Sequence, residues 1–174
     1  MEETLKSQMS KEKAVGTEGI LAAYERTMPS VYRLCYSYLK NRADTQDAVQ
    51  SVYVRLMQSG KVFESWEHEK AWLFVTAKNL CKNHLRHWWR TRRVYPGRDG
   101  GDVPPAAVPE ADHSGVREAV LNLPEKYKIL VFLYYYEGYD TKEIANMLDK
   151  NRSTVRRQLA EARAVLGGVL SEEE

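Results

Sequence analysis

Arginine carries the chemistry in this chain. From Asp140 to Leu166 the sequence reads DTKEIANMLDKNRSTVRRQLAEARAVL, with Arg152, Arg156 and Arg163 at spacings of four and seven, and Thr154, Arg157 and Gln158 beside them. On a helix those steps gather the three arginines near one face. A guanidinium can grip a guanine edge through two hydrogen bonds, a good pair discriminating by about 1–3 kcal/mol. It can instead hold a phosphate, which orients the protein without reading sequence. A plain amphipathic helix with a basic face would show the same spacing, so the preceding segment has to decide. Ile144, Ala145 and Leu148 line one face of a short first helix, and Val155, Leu159 and Ala162 line a face of the second. Small Ala145 permits a close crossing. Two short helices joined by a tight turn form a helix-turn-helix, whose second helix enters the DNA major groove. DNA is the partner this implies.

A second cationic surface lies upstream. Lys78, Lys82, Arg86 and Arg90 follow at steps of four, Lys70 extends the row, and Asn79 and Asn83 lie alongside. No Asp or Glu occurs between Ala71 and Arg98, whereas the chain ends in Glu172, Glu173 and Glu174. The net charge of +2 hides this segregation, which suits a polyanion. A solvated basic face without a partner is the alternative. Each phosphate neutralised adds about 0.9 to the salt slope on duplex DNA and about 0.7 on a single strand. Phe63 and Trp66 precede this row, where they can stack on unpaired bases for roughly 1–3 kcal/mol each or cap the core. Trp88 and Trp89 are adjacent, so only one of them can face inward.

Enzymatic chemistry finds little support. Cys81, His84 and His87 stand three residues apart, a spacing that only partly shares one helix side, and no second ligand cluster accompanies them. Neither a phosphate-binding P-loop nor a serine nucleophile elbow is present. Asp44 and Asp47 read as a solvated helix start. No catalytic residue, metal or cofactor is expected.

The elements that must position these residues read as all-α. Residues 1–17 are polar and offer little to bury. Ile20, Leu21, Tyr24, Met28, Val31, Leu34, Cys35, Tyr38 and Leu39 predict a helix from Gly19, bent or interrupted at Pro29. After a break at 41–43, Asp44 is the expected N-cap of a second helix with Ala48, Val49, Val52, Tyr53, Leu56 and Met57 inward, ending at Ser59-Gly60. A loop over 60–68 leads to a third helix from about Glu69 to Arg92. Three helices can bury one core, so 18–93 is one domain. Residues 94–115 carry four of the six prolines and read as a flexible linker. Residues 116–170 form a second small domain with the helix-turn-helix, and 171–174 an acidic tail. Within that domain ILVFLYYY, 129–136, suits a buried strand or a buried helix; the Pro124-Glu125 start and Gly138 stop favour the helix. Cys35 and Cys81 sit in apolar helical runs as buried thiols, which fits a reducing cytoplasm. No apolar stretch reaches membrane-span length, and direct membrane insertion is not expected.

Three blocks in this order resemble the extracytoplasmic-function (ECF) sigma factors, the small two-domain initiation subunits of bacterial RNA polymerase. VYRLCYSYLKNRADTQDAVQSVYVRL at 31–56 is similar to the family's first conserved block. KAWLFVTAKNLCKNHLRH at 70–87 is similar to its promoter-melting segment, and LPEKYKILVFLYYYEGYDTKEIANMLDKNRSTVRRQLAEARAVL at 123–166 to its C-terminal domain. The resemblance implies an RNA polymerase core enzyme partner met by Asp44, Asp47, Val49 and Gln50. It implies promoter DNA, with the −10 element met by Phe63, Trp66, Asn79, Lys82, Asn83, Arg86 and Arg90, and the −35 element by Arg152, Thr154, Arg156, Arg157 and Arg163. It further implies an anti-sigma factor partner. Ala48, Ser51 and Tyr53 depart from the family's usual docking residues, as do Asp149 and Lys150 from its usual turn. The competing reading is a stand-alone helix-turn-helix regulator that binds DNA without polymerase; a third is a metal-dependent nucleic-acid enzyme using Cys81, His84 and His87.

Overall fold

The fold was obtained as a computed structural model that describes residues 16–94 and 114–171. The described residues form seven helices and no strand. Helix α1, Thr17–Leu39, turns Ala23, Thr27, Val31, Leu34, Cys35 and Tyr38 inward at three- and four-residue steps. It runs through Pro29 without interruption. Pro29 and Glu25, whose carbonyl loses its helical donor, are both exposed. Lys40 ends it in the left-handed region at φ 58°, its N–H reaching the Tyr36 carbonyl at 2.9 Å.

Helix α2, Arg42–Ser59, begins earlier than its expected cap. Asn41, not Asp44, is the N-cap: its Oδ1 accepts from the Asp44 N–H at 2.8 Å, and its Nδ2 donates to Asp44 Oδ2 at 2.6 Å. Asp44 thus falls in the first turn, where a carboxylate meets the positive end of the helix. Gly60 closes α2 at φ 56°, the left-handed conformation glycine adopts at least cost. Helix α3, Trp66–Val94, also starts early, because Ser65 Oγ accepts the His68 N–H at 3.1 Å and caps it.

Helix α4, Ser114–Asn122, and helix α5, Glu125–Val131, flank Pro124. The expected linker therefore loses Val94, Ser114 and Gly115 to helices, while residues 1–15, 95–113 and 172–174 lie outside the described residues. The 129–136 run is helical throughout, changing to a π-helical turn at Phe132–Tyr136. Gly138, at φ 74°, then lets the Tyr139 N–H return to the Leu133 carbonyl at 3.0 Å. Helices α6, Thr141–Leu148, and α7, Arg152–Ser171, complete the chain, with Asp149 left-handed at φ 51° between them.

Helices α1–α3 pack on one another, and α5–α7 do the same with α4 laid along α7. The two lobes also touch. One continuous apolar cluster joins Val31, Leu34 and Phe74 to Ile129, Leu130, Phe132 and Leu133. Phe74 meets Phe132 edge-on, ring centroids 5.2 Å apart.

Candidate nucleic-acid interface

The helix-turn-helix is built by its caps. Asp140 Oδ1 accepts from the Lys142 and Glu143 N–H groups at 2.6 and 2.9 Å, and Glu143 Oε2 accepts from the Asp140 N–H at 2.7 Å. This reciprocal capping box fixes the start of α6. The two backbone N–H groups hold the Asp140 carboxyl below its usual range. At the other end the Lys150 N–H returns to the Ala145 carbonyl at 2.9 Å, made possible by left-handed Asp149. Ile144, Ala145, Val155, Leu159 and Ala162 are buried, so α7 can only be turned with its arginines outward.

Those arginines differ in their surroundings. Arg156 is exposed. Arg152 is exposed too, with Nε on Thr141 Oγ1 at 3.1 Å. Arg163 Nε donates to Tyr135 Oη at 2.7 Å and its guanidinium lies over Tyr134. Arg157 points elsewhere, since consecutive residues sit about 100° apart on a helix; it lies 3.7 Å from Glu161, which also accepts from Tyr127 Oη. Thr154 is half-buried. Lys150, beside this face, donates to Gln158 at 2.9 Å.

On α3, Asn79, Asn83 and Arg86 are exposed along one side, with Lys78 and Lys82 half-buried. Burial holds the Lys78 ammonium below its usual range, and the nearby charges of Lys82 and Lys150 push the same way. The side chain of Arg90 lies outside the described residues. Trp66 is 52 % exposed, with Lys70 Nζ over its ring at 5.4 Å. Phe63 is half-buried and packs against Trp72 and His68 at 5.8 and 5.6 Å between centroids. Of the two aromatics, Trp66 is the one presenting a face to solvent.

The surface assigned to polymerase docking divides. Asp47 and Gln50 are exposed on α2. Asp44 is half-buried, 3.3 Å from His84 Nε2 and already bonded to Asn41. Val49 is 6 % exposed and belongs to the interior of its own lobe, so it offers no surface to a partner. Cys81 is fully buried and its thiol is pushed up by the Cys35 thiol beside it and by burial. It therefore cannot join His84 in a ligand set, and the described residues contain no group of three or more His, Cys, Asp or Glu able to hold a metal.

Sequence reasoning missed the residues at the lobe boundary. Lys70 Nζ meets Glu137 Oε2 at 2.6 Å, and Lys82 Nζ meets Glu125 Oε1 at 3.2 Å. Lys40 donates to Asn122 at 2.8 Å, and Lys128, only 7 % exposed, donates to Leu121 O at 2.6 Å and to Ser37 O. No spacing rule links positions so far apart. The capping box, by contrast, was readable as Asp-x-x-Glu at 140–143.

Comparison with known proteins agrees with this architecture. The family model Sigma-70 region 2 matches residues 23–91, and Sigma-70 region 4 matches residues 114–166. The chain is 27% identical over 146 residues to RNA polymerase sigma factor SigV of Bacillus subtilis, covering 82% of this chain and 86% of that one. It is 26% identical over 144 residues to ECF RNA polymerase sigma factor SigL of Mycobacterium tuberculosis, covering 79% and 81%. The fold is shared with sigma factor RpoE of Bartonella quintana, crystallised with the anti-sigma factor NepR, at a TM-score of 0.72 and 18% identity over 91% of this chain and 100% of that one. No helix among the described residues is long and apolar enough to cross a membrane.

Proposed function

The chain belongs to the sigma-70 family as an ECF sigma factor, and from that premise we propose that it binds RNA polymerase core enzyme and directs it to a subset of promoters. The observation that carries the reading is two helical surfaces rich in Arg, Lys and Asn on separate lobes, one led by Arg152 and Arg156 on α7, the other by Asn79, Asn83 and Arg86 on α3. A helix turned with its arginines outward, as α7 is, fits the major groove, where Arg152 and Arg156 read −35 base edges while Arg157 holds a phosphate. Arg163, tied to Tyr135, and half-buried Thr154 position the helix against the backbone.

The α3 face takes the −10 element. Opening a duplex costs stacking and pairing energy, and capture of an extruded base returns part of it. Exposed Trp66 is the stacking platform, Phe63 fixes its loop against Trp72, and Asn79 and Asn83 offer donors and acceptors to base edges. Lys82, Arg86 and Arg90 neutralise phosphates. Asp47 and Gln50, with Asp44 behind them, form the polar docking face for polymerase. The protein starts transcription rather than catalysing a reaction, works in the cytoplasm beside polymerase, and is restrained by an anti-sigma factor, the kind of partner named for the structural neighbour.

Reconstitution with core enzyme and sequenced start sites tests this. Promoter-specific initiation is expected only when both are present. Tight operator binding without polymerase, and no initiation with it, would return the stand-alone regulator.

A further inference from the structure

Lys78, Lys82 and Lys150 converge on one point. Lys78 and Lys82 stand one turn apart on α3, so their side chains leave one face about 5–6 Å apart at Cβ. Helix α6 packs against α3, and Lys150 follows α6 directly past the left-handed Asp149. Lys150 thereby comes close enough to Lys78 for its charge to act there. Its place is held from two sides. Its N–H returns to the Ala145 carbonyl at 2.9 Å, and its Nζ donates to Gln158 Oε1 at 2.9 Å.

The charges around this point do not balance. Lys82 has Glu125 at 3.2 Å. Lys78 and Lys150 form no ion pair with any described residue. Lys78 is moreover half-buried, and a lysine drawn out of water is ordinarily paired with an acid. Burial, Lys82 and Lys150 all hold its ammonium below the usual lysine range, and no acid acts on it in the other direction. Packing of α6 on α3 thus gathers these ammonium groups with Glu125 as the only acid in contact with any of them among the described residues.

The balancing charge has to be small and concentrated. A duplex is too wide to follow Lys78 into a seam between packed helices. A lysine ammonium is a compact point charge with several donors, and phosphate oxygens suit it. One phosphate group can reach two ammonium groups a turn apart, and a second linked to it extends the reach to Lys150. We propose that Lys78, Lys82 and Lys150 form a binding site for a small polyphosphate, an anion of two or three linked phosphate groups, free or carried on a nucleoside. Such a ligand bridges α3 and the turn between α6 and α7.

Pyrophosphate is the probe, titrated calorimetrically into the full chain at constant ionic strength. One site per chain is expected, with a rise in thermal midpoint because the ligand binds the folded protein. Lys78→Met and Lys150→Met should each weaken binding by about tenfold or more, although they alter different lobes. Lys61→Met, at an exposed lysine of the loop before α3, should leave it unchanged. Without ligand, Lys78→Met should melt no lower than wild type, since it removes a half-buried charge that has no acid beside it. Helicity by circular dichroism checks that each variant folds. ADP distinguishes the two sources: affinity equal to that of pyrophosphate assigns the site to the phosphates alone, and tighter binding assigns it to a nucleoside carrier. Binding of a short single-stranded DNA should not depend on Lys78. The site is overturned if pyrophosphate does not saturate at one per chain, if Lys61→Met weakens it as much as the seam variants do, or if Lys78→Met weakens DNA and pyrophosphate alike. The sigma-factor reading stands or falls separately, on initiation with core enzyme.

Discussion

The Lys128 ammonium donates to the Ser37 carbonyl across the lobe boundary, and to the Leu121 carbonyl within its own lobe. Ser37 lies in the last turn of α1 and Leu121 in the last turn of α4. One buried lysine thus caps two helix C-termini, where orphan carbonyls and the negative end of each helix dipole favour a cation. An acid partner is not required for its burial, although Glu125 and Lys40 are close enough to influence its charge.

Burial brings the Lys128 pKa down to about 8, with Lys40 adding to the effect and Glu125 opposing it. Between that value and the usual lysine range near 10.5 the unfolded chain binds more protons than the folded one, so this residue makes stability rise with pH. Below pH 8 its desolvation penalty is present in full. Ionisation of Cys81 in the unfolded chain acts in the opposite sense, since its folded thiol is pushed up. Urea unfolding of wild type and Lys128→Met at pH 7.5 and 9.5 isolates the lysine. The difference between the two proteins should move toward wild type at the higher pH; no movement would contradict a buried ammonium.

Asp140→Ala should lower the thermal midpoint, because α6 loses both of its side-chain N-cap bonds. Asp140→Asn should keep most of the wild-type value at neutral pH. The carboxyl is held below its usual range, so its contribution is complete above that range and fades as the pH falls through the folded value. Thermal melts of the three proteins at pH 7 and in mild acid check both statements.

Arg156→Ala should weaken use of one set of promoters by about 1–3 kcal/mol and leave others nearly untouched. Arg157→Ala should weaken all of them alike and reduce the salt slope of binding by about 0.9. Parallel transcription from a promoter library, repeated at several salt concentrations, distinguishes a base reader from a phosphate holder. Equal losses for both variants would remove Arg156 from sequence readout.

Asn79→Ala should slow duplex opening more than recruitment of polymerase. Permanganate reactivity of unpaired thymines reports the first, and gel shifts of the closed complex the second. Equal loss at both steps would place Asn79 outside the melting surface.

Cys35 and Cys81 should resist alkylation in the folded protein and react at once in denaturant. Both are fully buried, and the Cys81 thiolate is strongly disfavoured. Rapid labelling under native conditions would show that the first lobe opens far more readily than its core implies.

The helices were legible because each buries one stripe. Val31, Leu34, Cys35 and Tyr38 on α1, or Ile144 with Val155 and Leu159 across the turn, follow a 3.6-residue period that depends only on local geometry. The ambiguous 129–136 run resolved as helix for the same reason: its neighbours on both sides are helical, and Gly138 supplies the left-handed stop. Caps were less legible. Asn41 took the N-cap position expected of Asp44, and Ser65 started the third helix ahead of the expected Glu69, because in each case a side-chain acceptor reached the free N–H three residues on.

The order of helices, the two-lobe division and the arginine face of α7 were therefore determined by sequence alone, since each rests on residues within a few turns of one another. Only the tertiary structure decided what Lys70, Lys82 and Lys128 do. Their partners, Glu137, Glu125 and the Ser37 carbonyl, lie tens of residues away and are selected by how one lobe is laid against the other. That placement is set by the apolar meeting of Phe74 and Phe132, and no periodicity within a helix encodes a contact between surfaces so far apart in the chain.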